Sequence, residues 1–269
     1  MQSKQSILLL AKKLMLFMAV FMLAMTVKAD VLGEYSFEGT LGDKIPVKLK
    51  FCINGDGIAV GEIYYPKAKN PAPILVVGGF IDDWGYYLNE YQEDGTITGS
   101  MSFKIEGEDD ADGPHIEEGK WTNPRTGKEF KMKNMYSNHE MIDVTDYLDY
   151  EVPENIGSEY VYSKWNENYQ SMMGGNVKFS RAGEHKLNFE VSNCFQNIAE
   201  GKNDPDRPAE LGQYTYNFFY YENVNECGYG FSAHFFKKFV VLQTTSGNDT
   251  LGCFGMGAAF DGVYLKVKQ

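Results

Sequence analysis

The chain has 269 residues, of which 25 are Lys or Arg and 37 are Asp or Glu, for a net charge of −12. That length accommodates one large β domain or two small ones, and the acidity argues against nucleic acid and anionic membrane surfaces as partners. With 18 Tyr and 18 Phe the chain has ample core material, which excludes a disordered acidic polypeptide.

Residues 1–29 read as a secretory signal peptide. Lys4, Lys12 and Lys13 form a positive start, Leu14 to Met25 is an unbroken run of twelve apolar residues, and Val27-Lys28-Ala29 puts small residues at the cut. Twelve residues span about 18 Å as a helix, short of a hydrocarbon core of about 30 Å. The expectation is cleavage between Ala29 and Asp30, a periplasmic or extracellular location, and no transmembrane segment in the mature chain. The leader carries four lysines and no acid, so the mature chain has 21 basic and 37 acidic residues, a charge of −16.

From Asp30 onward the pattern has period two. Val47, Leu49, Phe51 and Ile53 alternate with Lys48, Lys50 and Cys52. Ile97, Met101, Phe103 and Ile105 alternate with polar residues, and Gly99 falls on their apolar side. Such alternation gives strands with one buried and one wet face. Asn54 to Gly57, Pro71 and Pro73, Glu93-Asp94-Gly95 and Asn123 to Gly127 mark the turns. About eight strands are expected up to Met135, as an N-terminal β-meander or barrel over residues 30–137. Residues 138–158 are rich in Asp and Glu and read as an acidic linker, with one short helical turn around Asp143 to Leu148. Residues 159–269 resume the strand pattern at Leu187 to Val191, Tyr214 to Tyr221, Tyr229 to Leu242 and Val263 to Val267, with a polar loop from Gly201 to Gly212. The fold class expected is all-β, with two antiparallel meander barrels or sandwiches in tandem.

The cysteines Cys52, Cys194, Cys227 and Cys253 all lie in the mature part. An oxidising compartment favours pairing, and four cysteines allow three connectivities. A Cys227–Cys253 bridge is preferred; it would close a loop of about 26 residues and stabilise by roughly 3 kcal/mol. The alternative is free, buried thiols. The alternation puts Cys52 on the wet face beside the lysines.

Gly33-Glu34-Tyr35, Gly61 to Tyr65, the stretch from Glu93 to Gly99 and Gly119-Lys120-Trp121 together resemble the meander of exported bacterial β domains, similar in pattern to lipocalin-like and avidin-like barrels. Gly252 to Gly255 and Asp261 to Lys266 resemble the closing strands of other exported bacterial β domains, some of them in proteins related to lysozyme inhibitors. The resemblance implies a fold and carries no functional residue with it.

No catalytic motif is complete. His139-Glu140 begins a zinc-protease pattern, but Asp143 stands at the second histidine position. Gly230 to His234 begins a nucleophile elbow inside what reads as an ordinary strand, with Ser232 and His234 on one face. Gly255-Met256-Gly257 lacks the third glycine and the following chain of a dinucleotide site. Glu108, Asp110 and Asp112 match the start of a calcium loop, yet the closing position is Gly119, so the reading is an acidic hairpin tip. No metal, cofactor or catalytic residue is assigned. The most site-like residues are Asp82, Asp83 and Trp84, with Trp165 as a second aromatic, since a sugar surface combines aromatic faces with carboxylates. The expected function is a non-catalytic binding module for a small molecule or glycan. An acidic envelope protein or inhibitor acting on a protein partner, and an envelope-polymer hydrolase with two carboxylates, are the alternatives.

Overall fold

Eight consecutive strands wind up and down and close on themselves. They are β1 (Val31–Leu41), β2 (Ile45–Asn54), β3 (Ile58–Tyr64), β4 (Ile74–Ile81), β5 (Gly85–Tyr91), β6 (Ile97–Glu106), β7 (His115–Thr122) and β8 (Glu129–Ser137). Each pairs antiparallel with the next, and β1 closes the barrel on β8 through Phe37 opposite Ser137 and Leu41 opposite Met132. The computed structural model describes residues 31–81, 84–108, 110–111, 113–138, 140, 156, 158–194, 198–212, 218–222, 228–246 and 259–267. The expected leader and the expected helical turn at Asp143 to Leu148 therefore lie outside the described residues.

The barrel interior follows the alternation. Phe37, Val47, Leu49, Phe51, Ile63, Val76, Leu88, Met101, Phe103 and Met135 converge in one buried cluster. The body of the barrel is thus a packed core, as is usual when eight strands close. Closure also removes the exposed sheet edges that invite aggregation.

The second half forms a single curled sheet, a half-barrel, where a second meander barrel or sandwich was expected. Its strands are β9 (Glu159–Asn166), β10 (Ser171–Gly183), β11 (Lys186–Cys194), β12 (Ile198–Lys202), β13 (Ala209–Glu210), β14 (Phe218–Glu222), β15 (Gly230–Phe235), β16 (Phe239–Ser246) and β17 (Gly262–Lys266). The order across the sheet is β12-β11-β10-β9-β17-β16-β15-β14, with β13 beside β11. Phe179, Phe189, Phe219, Phe231, Phe235 and Phe260 pack edge to face within it, an arrangement that suits aromatic quadrupoles. The run Tyr229 to Leu242 is a hairpin: Phe236 N–H bonds to Phe239 O, and β15 turns back into β16. The polar loop Gly201 to Gly212 contains β13 and sends Ala209 and Leu211 into this core.

Residues Val31–Gln269 make one compact unit. The outer wall of the barrel is buried along a band that crosses four strands, Cys52 opposite Val60, Val60 opposite Val77, and Val77 opposite Asn89. Contacts with the second sheet surround that band. Asp56 lies 3.6 Å from His234, Thr96 Oγ1 lies 3.2 Å from Ser163 Oγ, and Ser163 N–H donates to Gly95 O at 2.9 Å. Gly95 has φ 82°, and any side chain there would collide with the Val161 carbonyl.

Cys52 corrects the wet-face expectation. It shares the outward face with Lys48 and Lys50, as the alternation requires, but it is fully buried because that face is covered. Cys52 and Cys194 are free thiols, so neither forms a bridge. Cys227 and Cys253 lie outside the described residues.

Candidate functional site

The turns β1–β2, β3–β4, β5–β6 and β7–β8 gather at one end of the barrel, where a pocket of about 550 Å³ sits between them. Small-molecule sites usually have volumes of about 300–1,000 Å³. Tyr65, Glu90, Thr98, Trp121 and Phe130 form its inner wall, with Leu41 and Ile45 beside them. These residues come from neighbouring positions of the ladder. Glu90 of β5 pairs with Gly99 of β6, Met101 of β6 with Trp121 of β7, and Trp121 with Phe130 of β8.

Glu90 is the unusual member. It projects on the same face as Leu88, toward the core, and is 3% exposed. The Tyr65 hydroxyl and the Trp121 Nε1–H, the latter at 2.6 Å, both donate to its Oε1. The Thr98 hydroxyl donates to Oε2 at a longer 3.4 Å. Burial raises the Glu90 pKa, and these three donors hold it partly down by favouring the charged form. Among the described residues no salt bridge reaches Glu90. Burial, with the adjacent Glu90 charge and hydrogen bond, pushes the Tyr65 hydroxyl far above the ordinary phenol range, so it stays a donor.

Gly99 explains how a carboxyl fits there. A Cβ built on Gly99 would stand 2.5 Å from Glu90 Cδ and 2.6 Å from Trp121 Nε1. The missing side chain is the space the carboxyl fills. Trp121 and Phe130 have ring centroids 5.8 Å apart, and Lys128 Nζ stands over the Phe130 ring at 4.7 Å. Lys44 and Lys67 line the outer part of the pocket.

The residues expected from sequence are placed elsewhere. Trp84 is 78% exposed beside the β4–β5 turn, at the end of the barrel away from the pocket. Asp82 and Asp83 lie outside the described residues. Trp165 is half-buried on β9, with the Arg125 guanidinium 5.4 Å over its ring. Arg125 belongs to the β7–β8 turn, so Trp84 and Trp165 sit toward opposite ends of the barrel and do not form one surface.

The near-motifs resolve in part. Ser232 and His234 lie on one face of the buried strand β15, and burial lowers the His234 pKa against the pull of Asp56. Asp110 N–H bonds to Gly107 O and Gly113 N–H to Asp110 O. Among the described residues no group of His, Cys, Asp and Glu is placed to hold a metal. Asp109, Asp112, His139, Asp143 and residues 255–257 fall outside those residues.

Another concavity, about 840 Å³, lies on the second sheet and is lined by Lys178, Glu190, Glu200, Lys202 and Asp204 among others. Among the described residues it presents mixed charges around one aromatic, Tyr229, and lacks a buried charged group. The barrel mouth is therefore the stronger candidate. Sequence reasoning missed it, although two signals were present: an acid on the apolar face of β5, and a glycine on the apolar face of β6. Compared with protein-family models, with curated proteins and with solved structures, the chain has no match.

Proposed function

We propose that the protein is an exported, non-catalytic binding module that takes a small amphipathic molecule into the mouth of its eight-stranded barrel. The observation that carries this reading is the buried Glu90 carboxyl at the floor of an aromatic pocket of about 550 Å³. A polar anchor set in an apolar, preformed concavity is the usual design of a small-molecule site. Eight-stranded barrels are wide enough for one such ligand. Export rests on the leader at residues 1–29 and places the module in the periplasm or outside the cell.

The hydrolase alternative has less support. Glycoside hydrolysis takes a pair of carboxyls on either side of the scissile bond, whereas among the described residues the lining includes a single carboxyl, Glu90. An acidic envelope-interaction protein has the net charge in its favour and no localised feature among the described residues.

The test is a thermal-shift screen of small amphipathic compounds against the mature protein and an Ala68→Trp variant. Ala68 is an exposed residue of the β3–β4 loop that lines the pocket, so Trp there plugs the mouth without touching the core. The expected result is a set of compounds that raise the melting temperature of the parent and lose that effect in the variant. Compounds that stabilise both proteins equally, or none that stabilise the parent, would overturn the reading.

A further inference from the structure

We propose that the mouth of the barrel selects a ligand with an ammonium head, an apolar body and a neutral or anionic tail, the head docking on the carboxylate of Glu90. This rests on the reading of the mouth as a small-molecule site and adds the chemical class of its occupant.

The donors around Glu90 carry the argument. The Tyr65 hydroxyl, the Trp121 indole N–H and the Thr98 hydroxyl all point into one carboxyl. An indole N–H is donor-only, so the group facing it must accept. A neutral carboxyl could hand its proton only to the Tyr65 or the Thr98 hydroxyl, which would then lose its own bond to the carboxyl, whereas the ionised form accepts from all three at once. An ionised carboxylate has about four acceptor sites, and three donors fill most of them without bringing a positive charge.

A buried carboxylate with no cation is costly, and the cost is relieved when a counter-charge arrives. Among the described residues no salt bridge supplies one. A ligand cation would. The walls suit it as well, because the faces of Trp121, Tyr65 and Phe130 attract ammonium groups and cover alkyl chains equally. The negative net charge raises the local concentration of cations. The tail is constrained by the rim. Lys44 and Lys67 line the outer pocket and Lys128 stands over Phe130, so a second positive charge on the ligand would meet three lysines.

Isothermal calorimetry with 4-phenylbutylamine and its near-isosteric alcohol, 4-phenylbutanol, tests the class. On the mature protein at pH 8 the amine should bind at least ten-fold more tightly than the alcohol. Glu90→Gln should remove that preference while leaving the alcohol within about three-fold. In the unmutated protein, amine affinity should fall as the pH is lowered toward 5 and alcohol affinity should not. Among the described residues the charged groups facing the pocket besides Glu90 are Lys44, Lys67 and Lys128, and the lining holds no histidine. That pH contrast decides the matter if the variant does not fold. Equal binding of alcohol and amine, blocked in both cases by Ala68→Trp, would overturn the ammonium head and leave the mouth as a binding site. Absence of heat from both probes would overturn the ammonium head too. The binding site itself then falls only if the thermal-shift screen also fails.

Discussion

Gly99 faces Glu90 across the β5–β6 ladder, and a methyl group at that position would press on both the Glu90 carboxyl and Trp121 Nε1. Gly99→Ala is therefore expected to cost about 1–3 kcal/mol, the usual range for an overpacked site, and to displace the carboxyl from its donors. Urea denaturation would give the stability loss, and the pocket's ligands should weaken in parallel. Glu90 also leaves a mark on the pH dependence. Burial raises its pKa, so the folded protein binds this proton more tightly than the unfolded chain. Stability from this group is full below about 4.5, the ordinary carboxyl value, and declines as the pH climbs through the raised value. Glu90→Gln should flatten that decline in a plot of melting temperature against pH. Ammonium binding runs the other way, strengthening over the same window as the carboxylate forms.

The strands of the barrel were largely legible. Alternation at Val47 to Ile53 and at Ile97 to Ile105, with turn residues at Asn54 to Gly57 and Asn123 to Gly127, is local information, and it corresponds to β2, β6 and the turns beside them. The turns even carry their own bonds: Asn54 Oδ1 accepts from Ile58 N–H at 2.9 Å and Asn123 Oδ1 from Thr126 N–H at 3.0 Å. The mouth was less legible because its parts are distant in sequence. Tyr65 meets Glu90 across 25 residues and Trp121 meets Glu90 across 31. Strands β9 and β10 gave no apolar alternation over Ser163 to Asn176, since Gly174 and Gly175 sit where close neighbours leave no room for side chains. Cys52 shows the other limit, for alternation assigns a face but not what covers it. Its thiol, pushed up to about 12 chiefly by burial, is expected to resist iodoacetamide at pH 8 in the folded protein and to react once unfolded in urea. Labelling followed by peptide mass spectrometry would show this, and rapid native labelling of Cys52 would refute the covered outer wall.

Barrel and half-barrel meet through polar as well as apolar contacts, and one of them is sensitive to pH. His234, on β15, is nearly buried and faces Asp56 in the β2–β3 turn at 3.6 Å. Burial lowers its pKa and Asp56 opposes that shift. A histidine held neutral in the fold contributes stability at neutral pH that is lost as the pH falls through about 6.5 toward the lowered value. Mild acid should therefore loosen this junction. Melting curves between pH 7.5 and 5.5 should show a smaller loss for His234→Gln than for the parent; an identical slope would remove His234 as the cause.

The junction also divides the rim of the pocket. Two of its four turns are held by β9: the β5–β6 turn through Gly95, Thr96 and Ser163, and the β7–β8 turn through Arg125 over Trp165. The other half of the rim includes residues 66–70, an exposed stretch after β3. A rim with one clamped side and one exposed side gives evolution, or a protein engineer, a natural division of labour. Residues 66–70 are where length and composition can drift to fit a new guest, while the clamped side keeps the Glu90 floor and the Trp121 wall in register.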